Sequence, residues 1–185
     1  MKAITFLTTM LLSIFLISGC IEEDLKDLSP PAPQENLQDD DTRDLSRSAH
    51  TPAQRNFGAH LSGDEEVPPV ATNATGQTIL QFNKDGDELY YKLIVANIFD
   101  VRFSHLHMAP AGENGAPVAF LYGGPTTDGR TQGILAEGYL TKDNLINGLA
   151  GMELSDLRDE ILAGNIYVNV HTVANGPGEI RGQVK

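Results

Sequence analysis

The chain has 185 residues, a formal net charge of -12 and a single cysteine. It has no basic stripe to meet a phosphate backbone, so nucleic acid is not an expected partner. A lone cysteine rules out an intramolecular disulfide, and stability must come from packing or from a bound metal. The charge divides as +1 over residues 1–19, -5 over residues 20–56 and -8 over the rest. That acidity suits solubility and the attraction of cations, and says nothing about fold.

The first segment, "MKAITFLTTMLLSIFLISGC", starts with Lys2, runs apolar to Ile17 and closes on Ser18, Gly19 and Cys20. It is short for a membrane span and ends in small residues, as a cleaved export signal does. The ending resembles the lipobox of bacterial lipoproteins, which implies a signal peptide over 1–19 and lipidation of Cys20. A lipid anchor of that kind would hold the protein on the membrane of the cell envelope, because each buried methylene contributes roughly 0.8 kcal/mol. Residues 20–56 carry "PPAP", "DDD" and many small polar residues without apolar periodicity. Such a stretch cannot bury enough apolar surface to offset its ordering entropy, and reads as a solvated stalk. His50 lies in it and is assigned no role.

Residues 57–185 make one domain of ordinary size. Short β-rich runs are expected at 57–63, 78–82, 88–98, 105–109, 117–122, 133–140, 166–172 and 179–184, separated by Gly, Pro, Asn and Asp. Asp85-Gly86 marks a hairpin between the second and third runs. About eight short strands at this spacing predict an all-β, antiparallel Greek-key sandwich or barrel. Leu89, Tyr91, Leu93 and Val95 share one face by period two. Two stretches depart from the β pattern. Residues 141–149 read as a helical turn capped by Thr141. Residues 154–164 read as a helix with Ser155 as N-cap, with Leu157, Ile161 and Leu162 on its apolar face and Gly164 at its end.

The alternation then sorts the histidines. In "SHLHMAP" (104–110), Leu106 and Met108 take the apolar face, and His105 and His107 the other. In "NIYVNVHT" (165–172), Val168 and Val170 point to the core, and Tyr167, Asn169 and His171 point away from it. Residues i and i+2 on a strand stand about 7 Å apart at their roots, close enough for two long rings to converge on one ion. Three neutral imidazoles form a sound ligand set for copper or zinc and leave a coordination position open. Two histidines on one strand face also fit a pair of solvated polar side chains, and the distance to His171 is not written in the sequence. Tyr167 and Asn169 share the face of His171 and are candidate supports for the ligands. Asp64-Glu65-Glu66 fits either a hard-cation chelate or a solvated turn. No nucleophile elbow and no Gly-rich phosphate loop is present. Asn73-Ala74-Thr75 forms a glycosylation sequon that the lipobox argues against using.

Three blocks of this domain, "AHLSGDEEVPPVATNATG" (59–76), "SHLHMAPAGENGAPV" (104–118) and "IYVNVHTVANGPGEIRGQV" (166–184), together resemble the CHRD domain. That module was first noted in chordin and occurs in bacterial exported proteins. The last block is the most specific. Asn175-Gly176-Pro177-Gly178 and Met108 depart from the family's usual residues, and neither departure removes a histidine. His60 falls where the family varies and reads as structural or solvated. The His-x-His strand is also similar to that of copper/zinc superoxide dismutases, a resemblance of motif and architecture alone. Together these imply a metal-binding lipoprotein holding copper, or less readily zinc, through His105, His107 and His171. The chordin context implies instead a non-catalytic module that meets a protein or a glycan, with the partner unspecified. A third implication is a dismutase-like redox enzyme in which Arg181 steers an anion; the alternative for Arg181 is a structural salt bridge.

Overall fold

A computed structural model describes residues 54–185. The leader expected over 1–19, Cys20, His50 and nearly all of the stalk lie outside the described residues. Eight strands are present: β1 Asn56–Ser62, β2 Thr75–Phe82, β3 Leu89–Phe99, β4 Val101–Met108, β5 Ala116–Tyr122, β6 Arg130–Leu140, β7 Ile166–Thr172 and β8 Ile180–Gln183. A single helix, α1 Leu154–Leu162, and three short 3-10 turns accompany them among the described residues.

The strands form one antiparallel sheet in the order β5-β4-β7-β8-β1-β2-β3-β6. β3 and β4 follow each other through Asp100 alone, yet β3 pairs with β2 and β6, and β4 with β5 and β7. That crossover gives the Greek-key connection expected from the strand spacing. The sheet curls until its two end strands approach, making a nearly closed barrel. Its remaining edge is covered rather than left open, which suppresses edge-to-edge pairing. Tyr91 Oη donates to Leu121 O of β5, the Ile146 N–H donates to Val118 O, and Asn147 Nδ2 donates to Pro117 O.

The barrel interior is apolar. Leu80, Phe82, Leu89, Leu93, Val95, Ile98, Leu106, Val118, Leu121, Val168, Val170 and Ile180 fill it. Most come from the face that alternation assigns to the core, since successive side chains on a strand leave opposite faces; Ile98 and Leu121 are out of phase, at register shifts in β3 and β5. At one end α1 adds Leu154, Leu157 and Ile161, spaced i, i+3 and i+7 on one side of the helix.

Several boundaries differ from expectation. β2, β4 and β6 begin three or four residues before their apolar runs, at Thr75, Val101 and Arg130. The added residues are polar or mixed and are held by neighbours, as in Thr75 opposite Ala96 and Val101 opposite Thr172. Ladder pairing extends a strand where side-chain pattern gives no signal. In α1 the N-cap is Glu153, whose N–H donates to the Asp156 carboxylate at 2.9 Å, and Ser155 lies inside the helix. Leu162 is exposed. It sits one residue past Ile161, about a third of a turn off the buried side, and Leu154 completes the face instead.

Candidate metal centre

The outer face of the central strands carries the site. On β4, His105 and His107 point away from Leu106; on β7, Tyr167, Asn169 and His171 point away from Val168 and Val170. The register sets them side by side: His105 opposite Asn169, His107 opposite Tyr167, and His171 opposite Phe103. On the other flank Asn169 faces Arg181 of β8. Expected merely outside the core, His105 and His107 are in fact 8% and 7% exposed, and His171 is half-buried. The connections at 109–115 and 173–179 roof the face.

The three histidines converge. One ring nitrogen from each lies within 4.8 Å of the others, and the His105 and His171 rings are 4.9 Å apart at their centroids. His107 Nδ1 lies 2.9 Å from Gly115 O, and His171 Nδ1 lies 2.9 Å from Gly176 O. A carbonyl only accepts, so both Nδ1 atoms carry hydrogen, and each neutral ring keeps its lone pair on Nε2. His105 Nδ1 sits 3.0 Å from His171 Nε2, so His105 is the donor of that pair. His107 Nε2 is buried without a hydrogen-bond partner. An ion bound at about 2.0–2.1 Å from each nitrogen needs nitrogens roughly 3.3 Å apart in a tetrahedral set. The rings meet that spacing after the widest gap closes by up to about 1.5 Å.

The electrostatics favour neutral rings. Burial, followed by the neighbouring His171 and His107, pushes His105 down to about 4. Burial also lowers His107, with His171 and Arg181 adding to the effect and the Gly115 bond opposing it. His171 is lowered by burial and by Arg102, against the pull of Gly176. At neutral pH the rings therefore present lone pairs, as metal ligation requires.

Two buried polar side chains fix the carbonyls that fix the rings. Arg181 is 2% exposed, and its guanidinium lies 3.5 Å above the Tyr167 ring centroid. The strand order β4-β7-β8 puts His107 on the opposite side of that ring, stacked at 4.9 Å and 15°. The Arg181 donors reach Asn114 Oδ1 at 3.1 Å and Glu113 O at 2.8 Å, tying down the loop that ends in Gly115. Gly115 itself has no room for a side chain: an added Cβ would meet Met108 O at 1.9 Å. The Gly115 N–H donates to Tyr167 Oη at 3.1 Å. Asn169 Nδ2 donates to Pro177 O at 3.2 Å and so holds the loop carrying Gly176. Arg181 thus meets carbonyl oxygens and an amide rather than the salt-bridged carboxylate considered from sequence.

The acidic triplet divides. Asp64 and Glu65 are exposed in the turn after β1, while Glu66 folds inward beside Asn169 and Arg181. Sequence reasoning missed Glu66, because a run of three acids carries no alternation to mark the buried one. It also missed Phe103 and Phe120, 36% and 48% exposed, whose rings flank His105 at 6.1 and 4.4 Å. The Gly115 and Gly176 carbonyls carry no side-chain signal at all. His60 is exposed, in keeping with a solvated role.

No curated protein and no solved structure matches the chain. The family model described as the CHRD domain matches residues 57–184, from β1 through the end of β8 and across every residue of the histidine cluster. The chain therefore belongs to the CHRD domain family.

Proposed function

We propose that the domain binds one transition-metal ion through His105 Nδ1, His107 Nε2 and His171 Nε2. The observation that carries this is the convergence of three neutral imidazoles, two of which, His107 and His171, are already held at Nδ1 by backbone carbonyls. Supports of that kind fix tautomer and ring direction at metal sites. Copper is the favoured ion and zinc the second, since imidazole suits both and divalent affinity peaks at copper. His105 would then keep its proton on Nε2, giving up its bond to His171. Cys20 as a lipidated N-terminus would place the ion at an exported, membrane-anchored surface; lipid labelling lost in Cys20→Ala tests that part separately.

Titration of the full chain with Cu(II) should end at one ion, with nitrogen hyperfine structure in the EPR spectrum. Single His→Ala substitutions at 105, 107 and 171 should each remove that signal. Unchanged binding in the triple variant contradicts the assignment. A second reading, an interaction module without metal, draws on the exposed Phe103 and Phe120 beside His105 and the exposed Val173 after His171. Thermal melting separates the two. An ion at a hundred times its Kd adds about 2.7 kcal/mol, whereas a module without a metal site melts identically with Cu(II), Zn(II) or neither.

A further inference from the structure

Asn169 stands on the outer face of β7, opposite His105 of β4 and two residues from His171. It is 3% exposed. Its Nδ2 donates to Pro177 O at 3.2 Å and also faces the buried Glu66 carboxyl. A Cβ on Gly178, whose φ is +148°, would stand 2.6 Å from Asn169 Nδ2 and 2.4 Å from Glu66 Oε1, so amide nitrogen and carboxyl pack on one side. Two acceptors there hold the amide with its nitrogen toward them. Its oxygen is left on the histidine side, against His107.

His107 does not satisfy that oxygen. Its ring hydrogen is on Nδ1, directed at Gly115 O, so Nε2 carries a lone pair. Asn169 Oδ1 and His107 Nε2 are both buried without a hydrogen-bond partner. Two lone pairs set against each other lose their water and gain nothing in return. A cation between them satisfies both. Among the described residues no carboxylate or thiol joins the three histidines as a ligand, so Asn169 is the oxygen donor at hand.

We propose that Asn169 Oδ1 is the fourth ligand of the ion held by His105, His107 and His171. This rests on the metal-binding reading above. It gives Asn169 a direct bond to the metal in addition to its Nδ2 grip on the loop that carries Gly176. Three imidazoles and one amide oxygen suit a divalent ion, whereas Cu(I) prefers softer thiolate and thioether donors. A fourth protein ligand also fills the position that a catalytic site keeps open for water or substrate. The site so closed retains an ion instead of turning over a substrate on it.

Calorimetric titration of the full chain with Zn(II) separates a ligand from a loop support, because aspartate keeps an oxygen at the position but lacks the Nδ2 donor. Asn169→Ala should weaken binding by about 10–100-fold, while Asn169→Asp should bind roughly tenfold more tightly than wild type. Weaker or unchanged binding by Asn169→Asp, or unchanged binding by Asn169→Ala, overturns the proposal and leaves the three-histidine reading standing. No binding of Zn(II) or Cu(II) by the wild type overturns both. If Asn169→Asp does not fold, crystals of the Zn(II)-loaded wild type decide. An Oδ1 about 2.0–2.2 Å from the ion supports the proposal; a water in that position, with Oδ1 outside bonding distance, overturns it.

Discussion

The two faces of β4 and β7 are made by the same residues in alternation, and they obey different rules. Inside the barrel, Leu106, Val168 and Val170 are fully buried among hydrocarbon, and packing accounts for them. Outside, His105, His107, Tyr167 and Asn169 are nearly as buried, yet three lone pairs in that layer and its lining have no partner. Buried polar atoms are usually partnered, so on β4 and β7 the outer layer is the less satisfied of the two. The inner face supplies stability; the outer face carries a cost in stability that a bound ion would offset.

That contrast makes quantitative demands. Leu106→Ala on the inner face should lower unfolding free energy by about 2–5 kcal/mol in urea denaturation and keep the metal-induced rise in Tm, while His107→Ala one residue away should abolish that rise. Loss of the rise in both would erase the distinction between the faces.

The next effect is in pH. Glu66 has a raised value in the folded state, so its contribution to stability is complete below the ordinary carboxylate value of 4.5 and lost as pH rises through about 7. The full difference is about 3 kcal/mol. The histidines run the other way. Their values are lowered, so their contribution is present above 6.5 and is lost as pH falls, for His105 through about 4. Glu66→Gln should therefore be more stable than wild type above pH 7, with the decline between 4.5 and 7 removed. A parallel pair of pH-stability curves contradicts the burial of a protonated acid.

The smallest expected effect is at Arg181. Arg181→Lys keeps the charge but loses the forked grip on Asn114 and Glu113 and the flat contact with Tyr167. Metal affinity should fall by about 10–100-fold, as when the outer supports of a ligand are removed. An unchanged affinity would mean that the Gly115 loop holds His107 without Arg181.

What was legible in the sequence follows the same division. Period-two alternation identified Val168 and Val170 as core and put His105, His107 and His171 on one side of the sheet, because that rule depends on local geometry alone. The convergence of residues some sixty positions apart depends on β4 and β7 being neighbours, which the Greek-key crossover decides and no local pattern records. Glu66 looked like its exposed neighbours Asp64 and Glu65, since only tertiary packing against Gly178 and Asn169 distinguishes it. The Gly115 and Gly176 carbonyls are backbone groups, invisible to any argument from side-chain type. The early start of β4 went unread because Arg102 and Phe103 are both exposed, and ladder pairing with β7 holds them.

The most direct test is anomalous X-ray diffraction from crystals of the protein grown with one equivalent of Cu(II). The account predicts a single ion about 2.0–2.1 Å from ring nitrogens of His105, His107 and His171, with the His107 and His171 Nδ1 atoms still bonded to Gly115 O and Gly176 O. Copper bound elsewhere, with the His105–His171 hydrogen bond intact, would contradict it.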